Sequence, residues 1–351
     1  MVASDTLEQL RTEPEPPKLD LSWLNLDNEW GVAAAPGRKG LTVEAINLGT
    51  YGEVPARSDN HTFAPRGAQR SELHPRMGYV IEEAVETYSE SAALLYDEAV
   101  ARQWSSATDI PWETIEELPE AMERAMCQLC TSLTEVEFIA GDVPGRWLPK
   151  ISADHFESAL FLMTQVMDEA RHTDVFRKRA LVNGGGLLHQ GGGGGLRQIM
   201  ECTDFSQMSA MLHILGEGFV QTLFRMGELL AHNEAEKRIF RLAAQDESRH
   251  VAYGVTHLKY LLANAPERAE EIHFTLDLFE GVLMDPEQQN PGLASALVYI
   301  LGDGDVDEGT RILRLVRQKQ VQEYLHRLDV AGLPDRRERM HPRLAKAIAA
   351  A

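Results

Sequence analysis

One short pattern limits this chain more than any other feature: Asp-Glu-x-Arg-His occurs twice, at Asp168–His172 and at Asp246–His250. The copies lie 78 residues apart. In each, glutamate and histidine are three residues apart, so on a helix they project from one face. Apolar stretches (FLMTQVM and FRLAA) precede the copies, which predicts that both sit on helices facing a core. A carboxylate and an imidazole on one buried face can share a metal ion. A solvated charged stripe is the alternative for a single copy; two copies, each behind an apolar run, argue against it.

Two such helices provide Glu169, His172, Glu247 and His250. A pair of divalent ions needs more negative charge and more oxygen donors, and a helical bundle can supply one further glutamate from each of two other helices. Before the first copy, Met126, Cys130 and Leu133 lead at spacings of four, three and four to Glu137. Glu135 competes, but shares its face with the polar Gln128, Thr131 and Ser132, so Glu137 is preferred. Before the second copy, Glu217 lies among Ile214, Val220 and Phe224, whereas Glu228 falls near a helix end. The separations are 32 residues from Glu137 to Glu169 and 30 from Glu217 to Glu247. Each suits an antiparallel return at about 1.5 Å per residue. His213, one turn before Glu217, is either an additional ligand or proton shuttle, or a core-edge histidine bound to a carboxylate.

The remaining sequence fits an all-α protein. Residues 1–72 carry weak periodicity with scattered Pro and Gly and read as an extended arm, with Trp23, Leu24, Leu26 and Trp30 as docking points. A long helix is expected from about residue 75 to Trp104, and a loop at 108–112. Further helices are expected at about 119–141, 153–182, 204–231 and 233–263, with a turn at 142–150 containing two prolines. These compose a metal-binding bundle over 73–263. Residues 264–351 then add helices near 266–285, 291–302 and 306–328, packing on the bundle. The glycine-rich run 183–196 lacks the Lys-Ser or Lys-Thr and the preceding strand of a phosphate loop, and reads as a connector.

Composition narrows the partners. A net charge of −20 excludes the clustered basic surface that nucleic acids or anionic membranes require. No run of 18 apolar residues is present to span a bilayer, and the acidic, Pro-rich N-terminus lacks a signal peptide's apolar stretch. These features suit a cytoplasmic protein. Three cysteines, Cys127, Cys130 and Cys202, make no disulfide framework, and the Cys127/Cys130 pair reads as buried thiols on a helix.

Over roughly residues 75–262 the motif order resembles the ferritin-like di-iron carboxylate proteins, closest in style to their oxygen-activating branch: bacterial multicomponent monooxygenases, ribonucleotide reductase small subunits and related oxygenases. Val136-Glu137-Phe138 stands where the monooxygenases carry Gly-Glu-Tyr and similar, and the stretch from Gln103-Trp104 to Trp112 also resembles the approach to their first ligand helix. The resemblance implies a ferritin-like four-helix bundle with extra N- and C-terminal helices. It further implies two Fe ions, with Mn/Fe or Mn as variants, and O2 as co-substrate. Asp246 is implied to serve His172 and Asp168 to serve His250, while Arg171 and Arg249 balance buried carboxylate charge. A small organic substrate, hydroxylated or N-oxygenated, follows by the same resemblance. So do a homodimer and an electron-donating reductase or ferredoxin, no cofactor motif being visible in the sequence.

The pattern also departs from individual relatives. Phe176 stands where the reductase subunits carry a radical tyrosine, Ala243 where arylamine N-oxygenases carry an extra histidine, and Gln221 where the monooxygenases carry threonine. A ribonucleotide-reductase-like oxidase, or an iron-handling ferroxidase, is the alternative reading.

Overall fold

The computed structural model describes residues 18–26, 31–191, 193–285 and 291–349. It is all-α among these residues, apart from isolated bridges such as Ile81 with Ile151. A short helix α1 (Ala92–Ala101) precedes the antiparallel pair α2 (Glu120–Trp147) and α3 (Phe156–Val182). After the short helix Gly194–Met200, α4 comprises Phe205–Ser209, a π-helical stretch Ala210–Gly216, and Glu217–Leu230. It returns as α5 (Glu234–Asn264). Three long helices follow, α6 (Ala269–Leu283), α7 (Pro291–Leu301) and α8 (Val306–Ala331), and then the short Arg336–Arg339 and Pro342–Ala349.

Local chemistry sets several boundaries. Asp204 accepts from Gln207 N at 2.9 Å and Asn233 from Glu236 N at 2.9 Å, each covering an otherwise orphaned amide at a helix start. At the end of α8, Gly332 adopts φ 101°, a left-handed cap open to glycine.

Two expectations fail here. The long helix from residue 75 is only α1; Val80 N and Ile81 N instead both donate to Lys150 O at 2.9 Å, and Ser152 N donates to Ile81 O. The β-branched pair takes an extended pairing that the helical pattern concealed. Conversely, the turn expected at 142–150 is largely helix: α2 runs through Pro144 to Trp147. Burial of Val143, Pro144 and Trp147 outweighs the hydrogen bond lost at proline, and Trp147 packs edge-on against Phe205 at 5.7 Å.

The N-terminal segment also differs from the arm expected. Trp23, Leu24 and Leu26 are exposed; Trp30 lies outside the described residues. Attachment occurs further along, where Ser58, Asn60 and Asp154 share buried hydrogen bonds and Arg66 pairs with Glu157. The glycine-rich run is tied along α2: His189 N and Gln128 Oε1 are 3.0 Å apart, and Gly191 N donates to Glu135 at 3.0 Å.

The core divides into two apolar clusters, and each of α2, α3, α4 and α5 passes from one to the other. Leu133, Phe176, Phe224 and Ala243 belong to one; Ala140, Phe161, Ile214 and Tyr253 belong to the other. Glu137, Glu169, Glu217 and Glu247 fall at the junction.

Candidate metal centre

All six residues of the expected ligand set are buried: Glu137, Glu169, His172, Glu217, Glu247 and His250 are each at most 3% exposed. They form two overlapping groups. Glu137, Glu169, His172 and Glu247 offer donor atoms within 4.8 Å of one another, as do Glu169, Glu217, Glu247 and His250. Glu169 and Glu247 belong to both and occupy the middle. Gly141 lets α2 and α3 close to this depth, since a β-carbon there would meet Glu169 Cβ at 3.0 Å. Glu135 and Glu228 lie elsewhere: Glu135 binds the glycine-rich run and Glu228 pairs with Arg241.

Below the glutamates lies a closed charge lattice. His172 Nε2 is 3.2 Å from Asp246 Oδ2, and His250 Nε2 is 3.3 Å from Asp168 Oδ2. Arg171 bonds both Asp168 and Asp246, and Arg249 reaches the same two at 2.8 and 2.5 Å. Two aspartates and two arginines, all buried, thus neutralise each other. An ionised aspartate only accepts, so each histidine carries its proton on Nε2 and turns Nδ1 toward the glutamates.

The electrostatics of the upper layer are unbalanced without a cation. Burial, followed by the charge of Glu169, raises Glu137 well above the usual carboxylate range. Burial and the neighbouring glutamates do the same to Glu217 against the pull of His250. Burial opposes charge on His172 and His250, but the surrounding carboxylates outweigh it and raise both well above the ordinary histidine value. Five glutamate oxygens, Glu137 Oε1, Glu169 Oε1, Glu217 Oε2 and both of Glu247, have no hydrogen-bond partner outside the centre; His250 Nδ1 meets only its glutamates, Glu169 Oε1 at 3.0 Å nearest. Buried lone pairs facing one another at these distances are costly unless a cation lies among them. Four carboxylates against two divalent ions is a neutral assembly, so the donor set fits a dimetal pair.

Three neighbours had no role assigned from the sequence, although Gln103 and Trp104 lie in the stretch that resembles the approach to a first ligand helix. Trp104 Nε1 donates to Asp246 Oδ2 at 2.8 Å, and Gln103 accepts from Arg171 at 2.5 Å. Gln165 Nε2 donates to Glu217 Oε1 at 2.8 Å. Gln165 was the findable one: a polar residue inside the apolar run FLMTQVM, one turn before Glu169. His213 is fully buried with both nitrogens engaged, Nδ1 by Ser209 Oγ at 2.8 Å and Nε2 by Gln165 Oε1 at 3.2 Å. It belongs to neither donor group, and burial and the His250 charge push its pKa well down. Its place is therefore beside the centre, as a neutral hydrogen-bonding group.

A cavity of about 240 Å3 backs onto the helices bearing Glu137 and Glu217. Leu133, Val136, Phe219, Val220 and Leu223 line it, with Arg317 as its cation. Phe176 and Phe224 instead pack together at 5.3 Å as core.

A bundle of helices around a buried pair of carboxylate–histidine groups is the ferritin-like kind of fold. Within that class, the fold is that of the R2-like ligand-binding oxidases. One solved with an aerobically reconstituted Mn/Fe cofactor superposes with TM-score 0.51 and 16% identity, over 69% of this chain and 92% of that one. Another, with an aerobically reconstituted metal cofactor after photoconversion, gives TM-score 0.51 and 15% identity over 68% and 93%. No protein-family model matches the sequence, and no curated protein matches it. Among the described residues no helix is long and apolar enough to cross a membrane.

Proposed function

We propose that this protein is a dimetal oxidoreductase that uses O2 to oxygenate a small organic substrate. The observation that carries this reading is the set of six buried donors, whose carboxylate oxygens Glu137 Oε1, Glu169 Oε1, Glu217 Oε2 and both of Glu247 have no partner outside the centre itself. Glu137 with His172 and Glu217 with His250 would each hold one ion, Glu169 and Glu247 both. Carboxylate-rich sites with two imidazoles accept Fe and Mn. The Mn/Fe cofactors of the structurally similar oxidases agree with a pair of iron ions, or one of each metal. The chemistry such a pair supplies is reduction of O2, so that one oxygen atom enters a C–H or N–H bond and the other leaves as water. The two electrons and two protons that this balance needs come from outside, the electrons from a reductase or ferredoxin.

The chain's own residues supply the setting. Asp168 and Asp246 fix both histidines with Nδ1 toward the ions; Arg171 and Arg249 hold the aspartates ionised. Phe161, Phe176 and Phe224 exclude water from the sides. The apolar cavity lined by Val136 and Val220, on the helices that carry Glu137 and Glu217, is the candidate substrate space.

The test is anaerobic loading with Fe(II), reduction, and exposure to O2 while oxygen uptake and optical and Mössbauer spectra are followed. Two ions per chain and rapid O2 consumption are expected. Hundreds of ions per assembly would replace this reading with iron storage, and full loading without O2 uptake would reduce the centre to a structural one.

A further inference from the structure

The centre is built from two halves that mirror each other, but the mirror breaks one turn before each glutamate. Four residues before Glu169 stands Gln165; four before Glu247 stands Ala243. Four residues before Glu217 stands His213; four before Glu137 stands Leu133. All four side chains are at most 2% exposed. One half therefore carries two polar groups where the other carries two apolar ones.

Those polar groups form a directional chain. Gln165 uses its amide N–H toward Glu217 Oε1, so its carbonyl oxygen faces His213, which must donate from Nε2. His213 Nδ1 is then an acceptor and takes the hydroxyl proton of Ser209. Each group has one role left by its neighbour, and the chain ends on a single oxygen of Glu217. The other, Oε2, has no partner. Gly254 permits the arrangement, since a β-carbon there would meet His213 Cβ at 2.5 Å. Glu137 has no comparable anchor: Oε1 is unpartnered, and Oε2 meets only the centre's own His172, at 3.6 Å.

We propose that Gln165 and His213 are positioning residues that pin Glu217 and so make the two metal positions unequal. The Glu217–His250 half takes up the first divalent ion, and Glu137 is the carboxylate left free to move. This rests on the dimetal reading above. A donor fixed in advance loses less freedom when it binds, whereas Glu137 must be ordered by the ion itself. The apolar Leu133 and Ala243 offer it no hydrogen bond that would fix it beforehand.

The experiment is anaerobic Mn(II) titration of the full chain, followed by electron paramagnetic resonance and equilibrium dialysis, with melting temperature as a check on folding. Wild-type protein should bind in two steps, showing mainly the uncoupled single-ion signal at one equivalent. Gln165→Met keeps volume but removes the donor, and should weaken the first step by about 10- to 100-fold, the usual effect of losing a partner behind a metal ligand. At one equivalent it should then mix empty, single and spin-coupled paired species. His213→Phe should shift the first step in the same direction, and Glu137→Gln should spare it. Ser209→Ala, at the far end of the chain of bonds, should give a smaller shift and serves if the larger changes prevent folding. Two ions bound in one step by wild type, or an unchanged first step in folded variants, would overturn this proposal alone. Failure of wild type to bind a pair at all would overturn the dimetal reading and this inference with it.

Discussion

Asp246 receives three donors at once: the indole of Trp104, the imidazole of His172 and the guanidinium of Arg171. Together with Arg249 these contacts hold it well below the usual aspartate range despite burial. Asp246→Asn would replace one accepting oxygen with an amide that cannot serve all of them. Metal affinity should fall by about 10- to 100-fold, measured by equilibrium dialysis, with little change in helix content. Residues of this kind divide by how sequence reveals them. The two glutamate–histidine pairs were legible because three-residue spacing fixes a helix face; the part played by their aspartates was implied only by the family resemblance. Glu137 and Glu217 were legible because a carboxylate continued an apolar row. Gln165 and Trp104 left no such periodic trace, and their roles depend on partners 52 and 142 residues away.

His257 shows how burial of one side chain couples to pH. Its ring is fully buried between Tyr88 O at 2.9 Å and Ser206 Oγ at 3.0 Å, and burial pushes its pKa down to about 4. The neutral form is favoured in the folded state, so its contribution is complete above the unfolded value near 6.5 and is lost as pH falls through about 4. The full loss is on the order of 3 kcal/mol. His257→Gln should flatten this part of the acid limb in urea melts recorded between those pH values. An unchanged slope would show that other groups govern it.

At the level of elements, helix packing sets the depth of the centre. Gly254 on α5 is the contact that lets the π-helical stretch of α4 approach with His213. Gly254→Ala should force these apart, lower the melting temperature through a strained core contact of about 1–3 kcal/mol, and impair metal binding as well. The π-helical stretch was invisible in the sequence because an additional residue per turn alters no composition. The failed helix at 75–91 and the unexpected one through Pro144 share a cause: pairing with Lys150 in one case and core burial in the other overrode local preference. The four helices that carry the candidate donors were legible, apart from the end of α2, because their apolar periods were long.

For the whole molecule, the centre trades stability for chemistry. Four buried glutamates facing each other weaken the metal-free bundle, and the bound pair should reverse this. At a free metal concentration 100 times Kd, each ion that binds only the folded chain adds about 2.7 kcal/mol. Calorimetry should therefore show a melting temperature that rises with Fe(II) or Mn(II) and returns on chelation. Glu169→Ala, which removes a donor common to both halves, should abolish the rise. The C-terminal helices take part in this architecture: Gln320 of α8 donates to Phe219 O at 2.8 Å, and Thr222 to Glu323 at 2.6 Å, fastening α8 along α4. Sequence alone located those helices but not their seat, because their contacts are long-range and carry no motif.

The most direct measurement is anomalous diffraction from crystals grown with Fe(II) or Mn(II). Two peaks about 3.5–4 Å apart, between Glu169 and Glu247 and flanked by the Nδ1 atoms of His172 and His250, are the expected result. Metal found only at surface carboxylates, with the six buried side chains bonded among themselves or to water, would contradict the account.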